Sequence, residues 1–210
     1  MKNAMNEDKP RDVDYVEELR RLQLLVFLRM EQMVGRYRLK ELLDIPQHEG
    51  IIRRMLKELS EKGWVRPTRS GSVLTNNGKA CIEESLRQKG IVDVKEVDLR
   101  KMKVGPKSVA VLVRQRSYPR SLLSLRDEAV KAGASGAVMF IHGKGDLNVP
   151  SVYRSLMHRY PMILDDLRGR FTLLDGDMMI VGFAEAASKA LTGALAIIMA
   201  LNRERNGHIT

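Results

Sequence analysis

Apolar positions give the first outline of the chain. From Val13 to Met33, in "VDYVEELRRLQLLVFLRMEQM", Val16, Leu19, Leu22, Val26 and Met30 recur near the helical period with Glu17, Arg20 and Arg21 on the other side, which predicts an amphipathic helix. "GRYRLKELLDI" follows with Leu39, Leu42 and Leu43 on one face, and Pro46 ends it because proline has no N–H for the next helical hydrogen bond. A third helix is predicted from Gln47. Ile52, Met55, Leu56 and Leu59 form its apolar stripe, Gln47, His48, Arg53, Arg54 and Lys57 project elsewhere, and Gly63 terminates it. The period then shortens: "WVRPTRSGSVLT", residues 64–75, reads as two strands around a Ser70-Gly71 turn.

Beyond Leu86 the texture changes again. "RQKGIVDVKEVDLRKMKVGP" alternates Val92 and Val94, then Val97 and Leu99, and stops at a Gly-Pro break, which predicts a strand leading into a second domain. "SVAVLVRQR", residues 108–116, is apolar enough for a central strand, with Arg114 and Arg116 on one face because strand side chains alternate. "SLLSLRDEAVKAGA" has Leu122, Leu125, Ala129 and Val130 at helical spacing and closes at Gly133, and "SGAVMFIHGKGDL" is a second strand with a Gly-rich turn, together a strand-helix-strand unit. "VYRSLMHRYPMILDDLRGRF" is predicted helical around Pro161, "DGDMMIVGFA" a turn and buried strand, and "SKALTGALAIIMALNRE" a closing helix. The expected fold class is α+β. A flexible terminus covers 1–12, a first domain 13–88, a linker or leading strand 89–107, and a mixed α/β sheet domain 108–210, with its sheet covered by helices.

Composition narrows the function. With 44% hydrophobic and 30% charged residues in 210, extensive disorder is not expected. The apolar run near the C-terminus, Ala194 to Leu201, is far shorter than the roughly 20 residues of a membrane helix. "MKNAMNEDKPRDVD" has no apolar segment to serve as a secretory signal, so a cytoplasmic location is expected and no membrane partner. Cys81 is the single cysteine, expected as a small core residue, which excludes an internal disulfide and a zinc site built on several cysteines. The net charge of +10 suits an anionic partner, and its distribution says more. Between Gly35 and Lys79 there are 10 Lys and Arg against 5 Asp and Glu, half of the whole excess. No acid occurs from Lys62 to Ile82, where Arg66 and Arg69 sit on the hairpin, nor from Val104 to Arg126.

Helix, short helix, tight turn, helix and basic hairpin come in the order of a winged helix-turn-helix. "IIRRMLKELSEKGWV" followed by "LTNNGK" resembles the third helix, wing and closing segment of winged-helix transcription regulators, over about residues 13–88. The resemblance implies a third helix that enters the major groove and a wing whose Arg66 and Arg69 reach the DNA backbone. Candidate DNA contacts are therefore Gln47, His48, Arg53, Arg54, Lys57, Arg66 and Arg69. Arg53, Arg54 and Lys57 fit a solvated helix face as well as base contact, and Gln47 and His48 fit helix capping as well.

"LRDEAVKAGASGAVMFIHGKGDLNVP" and "DGDMMIVGFAE" resemble the C-terminal domain of an archaeal family of predicted transcriptional regulators that join it to such a winged helix. The likeness implies architecture and a regulatory role and supplies no ligand. The residues themselves show no GxSxG elbow, no P-loop lysine motif and no His/Cys metal spacing, so neither catalysis nor a cofactor or metal is expected. Arg114, Arg116 and Arg120 read either as an anion or effector site or as a solvated strand end, and Arg126-Asp127 either as a surface ion pair or as part of that pocket. Asp175 and Asp177 around Gly176 read as an ordinary turn, and His142, His158 and His208 as surface residues.

The expected function is a transcriptional regulator of double-stranded DNA. Its second domain would serve for homodimerisation, effector sensing or both; the alternatives are an enzyme fused to a winged helix and a protein-protein adaptor. The dimer is suggested by "ALTGALAIIMAL", apolar nearly all round, with core packing as the other explanation.

Overall fold

The computed structural model describes residues 10–31, 33–43, 49–114 and 122–206. The first half runs α1 (Pro10–Glu31), β1 (Met33–Val34), α2 (Arg36–Leu42), α3 (Glu49–Glu61), β2 (Val65–Thr68), β3 (Gly71–Leu74) and α4 (Asn76–Gln88). Its sheet has the order β1-β3-β2, all antiparallel. The short β1 closes this sheet at a place where the sequence pattern still reads as helix. Thr75 caps α4, its Oγ1 accepting from Gly78 N at 3.0 Å, and so fixes the exit of the hairpin.

The second half runs β4 (Ile91–Val97), β5 (Lys107–Val113), α5 (Leu122–Lys131), β6 (Gly136–Gly143), β7 (Asp146–Asn148), α6 (Leu156–Arg159), α7 (Pro161–Arg170), β8 (Met178–Ala184) and α8 (Ala187–Asn206). The protein is thus α+β, with two antiparallel sheets and helices around them. In the second sheet the order is β4-β5-β8-β6-β7. β5 and β6 are not neighbours, as a bare strand-helix-strand unit would suggest; β8 lies between them and pairs antiparallel with both. The segment around Pro161 is two helices, with proline at the first position of the second, where its missing N–H costs no bond. In β4 a register shift between Ile91 and Asp93 breaks the simple alternation, so Ile91 and Val94 join one apolar cluster and Val92 packs against the other.

Alternation along the central strands builds two cores. Val109, Val111 and Val113 of β5 and Met178 and Ile180 of β8 face α5 and α8, while Ala110, Leu112, Met179 and Val181 face α6 and α7. The first of these cores does not stop at the domain boundary. It continues into Leu22, Leu24, Leu25, Val26, Phe27 and Leu28 of α1 and on to Leu39, Ile52 and Leu59 of the N-terminal helices. Every residue from Leu22 to Leu28 is buried, so this part of α1 is enclosed on all sides instead of presenting the one apolar stripe read from spacing. The single polar member, Gln23, is only 3% exposed; its Nε2 donates to Leu42 O at 3.3 Å and to Ser188 O at 3.2 Å, linking α2 to the start of α8.

α8 is covered by β5, β6, β8, α5 and α1 of its own chain. The apolar circumference that suggested a dimer interface is therefore used up inside one chain. Cys81, read as a core residue, is half-buried on α4. Among the described residues no helix is long and apolar enough to cross a membrane.

Gly182 sets how closely α8 seats on β8. A Cβ at Gly182 would lie 2.0 Å from Ala190 O and 3.1 Å from Ala194 N, both backbone atoms that cannot rotate away. Gly182→Ala should lower stability by about 1–3 kcal/mol, the usual cost of overpacking. Thermal unfolding followed by circular dichroism should show a midpoint several degrees lower; an unchanged midpoint would mean that α8 shifts without cost.

Candidate nucleic-acid interface

The polar face of α3 follows from its buried one. Ile52 and Leu59 are buried and Met55 and Leu56 partly so, which turns Arg53 and Lys57, four residues apart, to one outer face. Arg54, one step of the helix away, turns towards α1. Its Nη2 lies 3.1 Å from Glu17 and its Nε 3.8 Å from Glu58, so of the three α3 cations proposed from sequence it is the one built into an ion-pair network.

Arg53 and Lys57 line a groove of about 570 Å³ between α3 and the hairpin, together with Arg36 and Tyr37 of α2 and Arg69 and Ser70 of the turn. A hollow of about 130 Å³ next to it adds Lys40, again beside Arg36, Tyr37 and Arg53. Gly71 brings the hairpin tip into position. Its φ of 152° lies outside the range side chains favour, and a Cβ there would stand 2.6 Å from Val34 O, so only glycine lets β3 come this close to the end of β1. Arg66 behaves differently from Arg69. It pairs with Val73, which pairs with Met33, whereas Pro67 and Ser72 line the groove, so alternation puts Arg66 on the opposite face of the hairpin sheet. Gln47 and His48 lie outside the described residues.

Ion pairing separates these cations from their neighbours. Arg21, Arg29 and Arg38 of the same half are engaged, at 3.6 Å to Glu58, 2.6 Å to Glu83 and 3.0 Å to Glu31. Arg36, Lys40, Arg53 and Arg69 make no ion pair with any described residue, and Lys57 reaches only Glu61 at 3.7 Å. Tyr37, 82% exposed, stands among them. Among the described residues the groove thus gathers an excess of positive charge, with Glu61 its one acid, beside an exposed aromatic ring. Sequence reading missed Arg36, Tyr37 and Lys40. The signal was present in "GRYRLK", a basic stretch with tyrosine inside it, but its outward face could be told from its buried one only once Leu39 was seen packed.

The second candidate site looks different in the structure. Arg114 follows the end of β5 and forks onto Asp177, donating from Nε to Oδ1 at 3.0 Å and from Nη2 to Oδ2 at 3.1 Å, and donating to that carboxylate raises the Arg114 pKa further. Asp177 is 2% exposed and also accepts from Leu174 N at 2.9 Å, so it is a buried anchor of the 174–177 turn where an ordinary turn aspartate was expected. Its partner is half-exposed but already occupied, which argues against Arg114 as a free anion receptor. Arg116 and Arg120 lie outside the described residues. Arg126 and Asp127 are both exposed on α5 and form no ion pair with each other, as expected of side chains one step apart on a helix.

His142, expected at the surface, is buried at the end of β6; its backbone bonds both Gly176 N and Asp177 O, and its Nδ1 stands 3.4 Å from Asp175. His158 is exposed and His208 lies outside the described residues. Among the described residues no group of three His, Cys, Asp or Glu is arranged to hold a metal.

Residues 104–201 match the model of a family described as a domain of unknown function, DUF4443. Across nearly the whole chain the fold is similar to the solved structure of the hypothetical protein PH0730 from Pyrococcus horikoshii OT3, an archaeal protein. The TM-score is 0.70 at 27% identity, covering 89% of this chain and 93% of that one. The likeness therefore includes both halves and their arrangement. No curated protein matches the sequence.

Removing the Arg114 guanidinium would leave the buried Asp177 carboxylate without its charged partner, which typically costs about 1–3 kcal/mol. Arg114→Ala should therefore lower the thermal midpoint by several degrees, whereas Arg126→Ala, on the exposed face of α5, should leave it within a degree or so. Equal effects would show that the Arg114–Asp177 fork carries no stability.

Proposed function

We propose that the protein is a DNA-binding regulator whose first half works as a winged helix-turn-helix, with α3 as the recognition helix and the β2–β3 hairpin as the wing. The observation that carries this reading is the set of cations without an ion pair to any described residue, Arg36, Lys40, Arg53 and Arg69, gathered around one groove while Arg21, Arg29, Arg38 and Arg54 of the same half are held by carboxylates. Duplex DNA is a regular array of phosphates, and a protein surface that neutralises them gains affinity by releasing the counterions they hold. Arg53 and Lys57, on the outer face of α3, are the side chains that reach base edges. Arg36, Lys40 and Arg69 flank them as backbone contacts, which fix register and carry little sequence information.

Arg66 and Arg54 have lesser roles in this reading. Arg66 stands on the far face of the hairpin and meets DNA only where a duplex bends around the wing. Arg54 holds α3 to α1 through Glu17. A second copy binding a neighbouring half-site about 34 Å away would have to dock through a surface other than α8. Regulation by an effector falls to the second half.

The test compares neighbours on one helix. Arg53→Ala should weaken duplex binding and blunt sequence preference in a selection from random duplexes, with of order 1–3 kcal/mol of discrimination lost if the contact is bidentate. Arg69→Ala should weaken binding to all duplexes alike. Arg54→Ala, which removes only exposed ion pairs, should change neither. Equal losses from Arg53→Ala and Arg54→Ala, or none from either, would contradict the assignment of the groove.

A further inference from the structure

The largest cleft described in the molecule lies away from the α3 groove, where the two halves meet. It encloses about 660 Å³. Tyr15, Leu19, Arg20 and Gln23 of α1 and Leu43 at the end of α2 form one wall; the ends of α5 and the flank of α8 form the other. That volume is in the range of about 300–1,000 Å³ typical of small-molecule sites, which also favour domain boundaries.

The charges in the cleft are unbalanced. Arg20, Lys131 and Arg203 line it, and Glu128 is the one acid among its described lining residues. Glu128 accepts from Lys131 Nζ at 2.9 Å and lies 3.6 Å from the Arg203 guanidinium, which itself sits 4.6 Å over the Tyr15 ring. One carboxylate thus holds two cations in place without cancelling the site's positive charge, and a ring and aliphatic side chains line the same space. Arg20, on the opposite wall, makes no ion pair with any described residue. Such a surface suits an organic anion, with a carboxylate, phosphate or sulfonate among the cations and an apolar or aromatic body against Tyr15 and Leu19.

We propose that this cleft between α1 and the α5–α8 pair binds an organic anion of this kind, and that the ligand communicates with the α3 groove. The coupling part of the proposal rests on the DNA-binding reading; the binding part does not. The link is physical. The ligand would bridge the second half to α1 and to Leu43, and α3 begins at Glu49, six residues further on. Anything that changes the spacing of those walls shifts the carrier of Arg53 and Lys57. A ligand that favours one spacing must, by linkage, bind more tightly or more weakly when DNA is bound, and to the same factor as it alters DNA affinity.

The test uses the full-length protein and 8-anilinonaphthalene-1-sulfonate, an aromatic anion whose fluorescence rises on leaving water. One probe should bind per folded chain. Lys131→Glu and Arg20→Glu, exposed positions on opposite walls, should each lower its affinity at least fivefold, and either variant that keeps the wild-type thermal midpoint suffices. Arg53→Glu, in the α3 groove, should leave probe affinity within twofold. Probe affinity unchanged in both wall variants, or lowered equally by Arg53→Glu, would overturn the site. Saturating probe should also change duplex affinity at least threefold, and duplex should change probe affinity by the same factor. An unchanged duplex affinity would overturn the coupling while the wall variants still decide the site. Absence of duplex binding altogether would remove the DNA reading and with it the coupling, and the wall variants would again decide the cleft on their own.

Discussion

Everything in this molecule hangs on the lower half of α1. From Leu22 to Leu28 the helix has no solvent face, because the hairpin sheet, α4, β4 and α8 pack around it, and one apolar core runs through it from the N-terminal helices into the second sheet. Seven consecutive buried positions in a helix are costly to expose, so the two halves share one core that holds their mutual orientation. Gln23 adds direction to this contact. A buried side-chain amide must satisfy its donors, and it does so on one carbonyl from each half, which a slip of either half would break.

The consequence for function is that the α3 groove is held at a set angle to the second half. A flexible tether would let the halves act independently; a shared core transmits any change at their junction. The same burial explains the composition of α8. Its alanines, leucines and isoleucines face the sheet, α5 and α1 at once, and Gly182 beneath it lets the helix backbone approach the strand closely. Of the two explanations its sequence left open, an association surface and core packing, the structure shows the second: α8 is the second half's internal spine.

Much of this was legible from residues, and the limits are instructive. Helices with one stripe, such as the segment around Ile52 and Leu59, could be read from period alone, as could β5 and β8, whose apolar runs are unbroken. Strand neighbours could not. The pairing of Val113 with Met178 spans more than sixty residues, and nothing local says that β8 inserts between β5 and β6. The buried state of Asp177 and His142 depends on the same long-range closure. Arg53 and Arg54 are adjacent and identical in sequence, so only the position of α1, with Glu17 on it, shows that Arg54 is the one paired across to another helix. Arg36 and Tyr37 became visible for the same reason, since an outward face is defined by what the opposite face packs against.

The central claim is that the cations around the α3 groove serve the phosphates of duplex DNA. Salt dependence of duplex affinity in the full-length protein tests it most directly, because each phosphate neutralised contributes about −0.9 to the slope of log affinity against log salt. The three cations assigned to the backbone, Arg36, Lys40 and Arg69, none of which pairs with a described carboxylate, predict a slope of about −3 on that basis. A slope near zero, or no duplex binding at the lowest salt, would contradict the account.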